Sequence, residues 1–109
     1  MAWLVREGDV LATLEIAESG RDRGKGLLGR DDFEGAILLR PARSVHTWGM
    51  RFPIDVAFVD TELKVVKIVT MKRWRIGMPV LKAHGVIEAR AGAFGSWSLK
   101  VGDQLEVKG

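Results

Sequence analysis

Residues 53–59, PIDVAFV, constrain the fold more than any other stretch. Drawn out as a strand, the run is apolar on both faces, and a strand of that kind has to be covered from above and below. One carboxylate, Asp55, is set inside it. A buried carboxylate without partners is costly, so Asp55 must find an arginine, backbone amides or water in the fold.

The flanking sequence supplies further strands. KVVKIVTMK follows the DTEL turn and reads as a strand pairing back on PIDVAFV. GAILLR and GVIEARAG are short strands bounded by glycine. AWLVRE and VLATLEIAE read as a hairpin turned at Gly8-Asp9, with Val10, Ala12, Leu14 and Ile16 forming an apolar face. AFGSWSLKVGDQLEVKG reads as a helical turn, a Gly102-Asp103 turn and a last strand. Between the hairpin and GAILLR, Ser19 is placed to cap a short helix with Leu27 and Leu28 on its apolar edge and Gly29 at its end. Long amphipathic helical patterns are missing. The expectation is mainly β: one domain over 1–109, a compact barrel or sandwich of about six to eight short strands with one or two short helical segments.

Composition closes off several classes. The chain has no cysteine, hence no disulfide framework and no thiolate metal site. No apolar run approaches the roughly 18 residues that span a bilayer, and the start, MAWLVREGDV, lacks the pattern of a signal peptide. A cytoplasmic protein is expected. The formal net charge of +3 is too small to select nucleic acid as a partner.

Three stretches carry candidate chemistry. If 45–52 is extended, His46, Trp48, Met50 and Phe52 share one face, and Val45, Thr47, Gly49 and Arg51 the other. That first face is either core or the wall of an apolar pocket with one polar handle. MKRWRIGM interleaves Lys72, Arg73 and Arg75 with Trp74, charge beside an aromatic, as in single-strand nucleic-acid binders; one aromatic does not make a stacking platform. His46, His84, Asp55 and Glu88 match no metal-ligand motif, and KGLLGR lacks the spacing of a phosphate loop. No metal and no cofactor is expected.

The order of motifs along the chain resembles the bacterial and archaeal family called domain of unknown function 192, or uncharacterised protein family 0127. The residues that carry the resemblance are Gly26-Leu27-Leu28 with Arg30, then Trp48 and Met50, Pro53-Ile54-Asp55, Glu88, Ala91-Gly92 and Gly102-Asp103. Leu28 stands where the family pattern has methionine. The resemblance covers about residues 20–108 and implies a small mainly-β fold with short helices. It implies no activity.

The leading functional expectation is a small ligand-binding or accessory β domain. Its pocket would be lined by His46, Trp48, Met50 and Trp74, with Arg30 or Arg51 at the mouth, and its partner would be a small molecule. The alternative is a small hydrolase or lyase using His46 as base with Asp55 or Glu88 orienting it. The third is weak nucleic-acid binding through residues 72–75. Asp55 itself is expected to be structural, paired with Arg30 and with Arg43 and Arg51 as alternatives.

Overall fold

The computed structural model describes residues 1–109. The elements in chain order are β1 (Ala2–Arg6), β2 (Asp9–Ala17), α1 (Gly20–Lys25), β3 (Ala36–Leu39), β4 (Ile54–Val59), β5 (Val65–Met71), β6 (Gly85–Arg90), α2 (Ala93–Ser96) and β7 (Glu106–Lys108). The strands form one seven-stranded sheet in the order β5-β4-β6-β3-β2-β1-β7. Only the β2–β3 pair is parallel. At one end the edges meet: Lys64 and Gln104 form an isolated bridge, and the Val65 amide donates to the Asp103 carbonyl at 2.9 Å. The sheet is barrel-like but not closed.

The PIDVAFV run takes the interior place its apolar character demands. β4 lies between β5 and β6, and all six of its residues are buried. Strand alternation divides the core in two. Ile54, Val56 and Phe58 join Leu27, Ile37, Leu39, Met50, Phe52 and Val86 on one face. Ala57 and Val59 join Leu4, Leu14, Leu38, Ile87, Phe94 and Leu105 on the other. The first face is roofed largely by irregular chain, the second by the curl of the sheet and by α2 and its flanks.

Local expectations need four corrections. The hairpin turns at Glu7-Gly8, with Arg6 opposite Asp9. Both turn residues have positive φ, 51° and 84°, the two-residue turn that matches strand twist, and glycine suits its second position. The apolar face of β2 is only partly covered: Leu14 is buried, but Val10 and Ile16 are exposed and Ala17 is buried in their stead. α1 is capped by Ser19, whose Oγ accepts from the Asp22 amide at 3.0 Å, but it ends at Gly26 rather than Gly29. Leu27 and Leu28 therefore lie beyond it. Residues 45–52 are not a strand.

Candidate functional site

The 45–52 segment sets the geometry of the site. Its alternation breaks at a turn over Trp48-Gly49, where Gly49 has φ 79°. Val45, Thr47, Met50 and Phe52 are buried, while His46 and Trp48 are exposed. The expected shared face of His46, Trp48 and Met50 is therefore absent. Thr47, which regular alternation puts opposite His46, becomes the anchor. It is fully buried, its Oγ1 donates to the Lys72 carbonyl at 2.6 Å, and it accepts from the Arg75 amide at 2.8 Å. The Thr47 amide donates to the Arg75 carbonyl at 2.7 Å and the Trp74 amide to the Thr47 carbonyl at 2.9 Å. This clamp holds Trp74 at φ 60°, a conformation that bulky residues adopt only when their surroundings impose it.

Thr47→Val keeps the shape and removes the hydroxyl. The expected cost is about 1–3 kcal/mol, from the backbone groups left unpaired, with a change in tryptophan emission as the 72–75 loop relaxes. Denaturant melts of both proteins check it; equal midpoints and identical emission would refute the clamp.

Beneath residues 45–50 lies a cavity of about 60 Å³, walled by α1 and its exit, by Leu39, and by Ser44, Val45, His46 and Met50. Glu88 of β6 faces into it. Glu88 lies on the same side of the sheet as Val86 and is only 5% exposed. Burial pushes its carboxyl up from the ordinary 4.5 to about 7, with the Leu27 amide acting in the opposite direction. Gly26 makes room for it: a Cβ there would stand 3.0 Å from Glu88 Oε1 and 3.4 Å from Leu39 Cδ2, and φ is 47°. Arg23 also lines the cavity. One of its terminal nitrogens donates to the Pro41 carbonyl at 2.8 Å, but its Nε is buried with no partner in the protein.

Asp55 is on the opposite face. In the β4–β6 register Asp55 stands beside Ala89 and Val56 beside Glu88, so strand alternation separates the two carboxyls. Asp55 Oδ2 accepts from the amides of Gly92 and Phe94 at 2.9 and 3.1 Å, and Oδ1 from the Thr70 hydroxyl at 2.8 Å. It thus caps α2, whose own N-cap, Gly92, has no side chain to do so. The expected Arg30–Asp55 ion pair is not formed. Arg30 makes a two-pronged pair with Glu15 at 3.1 and 2.8 Å and stacks over Phe33. Arg51 pairs with Asp31, and Arg43 donates to the Ala83 carbonyl. Three neutral donors compensate Asp55 without an arginine.

Of the pocket residues expected from sequence, His46 and Met50 line the cavity and Trp48, Trp74 and Arg51 do not. Trp48 and Trp74 instead face each other, ring centroids 6.1 Å apart. The motif positions assemble into two constellations, Gly26, Leu27, Met50 and Glu88 around the cavity and Asp55 with Gly92 across the sheet. Pro53 precedes β4 and its carbonyl accepts from the Ala91 amide at 3.2 Å. Gly102 and Asp103 form the late turn, where Asp103 pairs with Arg6 at 2.9 Å and its carboxyl is held below the usual range, chiefly by the Lys100 amide. Reasoning from sequence missed Thr47, Arg23 and Lys25. No group of three or more potential metal ligands is present.

This ordered set agrees with a family match that spans residues 3–107, to proteins described as Uncharacterized ACR. The chain belongs to the DUF192 family. Among its DUF192 relatives, a UPF0127 protein of Pyrococcus horikoshii is 31% identical over 92% of this chain and 88% of its own. A UPF0127 protein of Pyrococcus furiosus is 38% identical over 90% of this chain and 89% of its own. Two solved structures share the fold. A protein of unknown function from Novosphingobium aromaticivorans has a TM-score of 0.78 at 21% identity, over 96% of this chain and 82% of that one. A putative transcription regulator from Sinorhizobium meliloti has a TM-score of 0.82 at 19% identity, over 97% of this chain and 91% of that one. No helix of this DUF192 chain is long and apolar enough to cross a membrane.

Proposed function

We propose that this chain is a small-ligand-binding β domain whose site is the cavity over Glu88. The observation that carries the reading is a buried carboxyl, with its pKa lifted to about 7, facing a cavity that is also lined by Arg23, whose Nε is buried without a partner. Perturbed groups converging on a concavity are what binding sites are made of. The donor and acceptor ask for a compact ligand that offers both an acceptor and a donor, such as a hydroxylated or amide-bearing metabolite. His46 and Lys25 stand at the wall, and Met50 and Leu39 supply the apolar contact.

A thermal-shift screen of small polar metabolites tests this. A ligand at 100 times its Kd adds about 2.7 kcal/mol of stability, and that gain should vanish in Glu88→Gln and in Gly26→Val, which fills the space before the carboxyl. Stabilisation that survives both substitutions places binding elsewhere.

One observation favours an enzyme as the second reading. A carboxyl poised near neutrality in the same cavity as His46 suits acid-base chemistry. Asp55, behind the sheet, plays no part in it. Turnover lost in Glu88→Gln with ligand binding retained would select this reading over simple binding.

A further inference from the structure

The charge of the chain is segregated. Residues 63–87 contain six lysines and arginines and no aspartate or glutamate, whereas the remaining residues carry 11 basic and 14 acidic side chains. None of Lys64, Lys67, Lys72, Arg73, Arg75 and Lys82 joins an ion pair.

The same segment carries the most exposed apolar strip of the molecule. Trp74 is 57% exposed, Ile76 73%, Met78 79% and Leu81 83%, and the neighbouring Trp48 is 54% exposed. Isolated apolar side chains at a surface are ordinary, but five on one continuous strip are a mark of an interaction site. Backbone hydrogen bonds tie the strip to residues 43–47. Besides the Thr47 clamp on Trp74 and Arg75, the Gly77 amide donates to the Val45 carbonyl at 2.9 Å and the Val80 amide to the Arg43 carbonyl at 2.8 Å.

We propose that the 72–82 strip docks on an anionic lipid bilayer surface. Ile76 and Met78 border an open hollow of about 460 Å³ beside β5, yet their side chains, like those of Trp74 and Leu81, are largely exposed, and exposed apolar tips suit insertion into the boundary between headgroups and acyl chains. Several backbone amides of the strip are already paired to residues 43–47, which lowers the cost of leaving water. Tryptophan favours that boundary. Lys72, Arg73, Arg75 and Lys82 flank the apolar tip, where their heads can reach lipid phosphates while their stems lie along it. No acidic residue of the segment itself opposes a negative surface.

Flotation of the full chain with phosphatidylcholine vesicles, with and without phosphatidylglycerol, tests the proposal, with tryptophan emission as the second readout. The expected result is salt-sensitive binding to the anionic vesicles with a blue shift, and far weaker binding to phosphatidylcholine alone. Lys72→Gln with Arg73→Gln should weaken binding about fivefold per cation removed. Ile76→Ser with Leu81→Ser should weaken it roughly tenfold or more. All four side chains are exposed, so melting temperatures should stay those of the parent. No binding to anionic vesicles at low salt, or binding that survives both pairs of substitutions, overturns the proposal. So does oligonucleotide binding that needs the cations but not Ile76 and Leu81, or a lipid-free dimer that buries Trp74.

Discussion

Asp55→Ala is expected to destabilise the domain by about 3–4 kcal/mol, while Asp55→Asn costs no more than about 1–2 kcal/mol. Alanine strands the three donors that now converge on the carboxylate, including the buried Phe94 amide. Asparagine can keep the same geometry. Its oxygen accepts from Gly92 and Phe94, its amide nitrogen donates to the Thr70 hydroxyl, and only the extra strength of bonds to a charged acceptor is lost. Against a total stability of about 5–15 kcal/mol the alanine variant is crippled and the asparagine variant is not. Urea melts of the three proteins decide the matter. If asparagine proves as damaging as alanine, the negative charge itself is what the fold needs, and an electrostatic partner has been overlooked.

The second large effect is a pH dependence. In the unfolded chain Glu88 titrates near its ordinary 4.5, and in the folded protein burial lifts it to about 7. The folded state therefore holds the proton more tightly. Stability is fully present below the lower value and falls as pH rises through the window between the two, with the loss complete above about 7. At 1.36 kcal/mol per pKa unit the loss is about 3 kcal/mol. Glu88→Gln has nothing to ionise there, so it should be more stable than the parent at alkaline pH and close to it near pH 4.5. Because every other carboxyl and histidine is common to both proteins, the difference between their stability curves isolates Glu88. A difference that stays constant from acid to alkaline pH would mean that Glu88 titrates alike in the folded and unfolded chain, and that burial does not lift it.

The strands were legible because burial on both faces leaves a plain imprint. Ile54–Val59 and Ala36–Leu39 have no polar face apart from Asp55, and both occupy the interior of the sheet. The site was only half legible. Alternation over 45–52 presumes regular extended backbone, and a single glycine at φ 79° is enough to return Met50 and Phe52 to the core beside Val45 and Thr47. The partner of Asp55 was misjudged for a related reason. An isolated carboxylate in an apolar run suggests a countercharge, but a short helix lying across the sheet offers bare amides that serve as well. That Glu88 and Asp55 sit on opposite faces depends on the β4–β6 register, which neither strand displays alone. The contact between Gly26 and Glu88 joins positions 26 and 88 of the chain, and no local pattern announces it.

The ladder between β1 and β7 sets a condition on the route to the native state. Trp3 lies opposite Lys108, Leu4 opposite Val107 and Val5 opposite Glu106. To form it the polypeptide must close a loop almost as long as itself, and the reward is a strand of three residues. Contacts of that range form slowly, because ordering entropy is spent before the contact repays it. The β4–β5 hairpin, by contrast, spans 18 residues from Ile54 to Met71 and can assemble locally. The terminal ladder is therefore the last part of the sheet to knit during folding and the first to fray in the folded protein. Amide hydrogen exchange should find β7 the least protected strand and β4 the most.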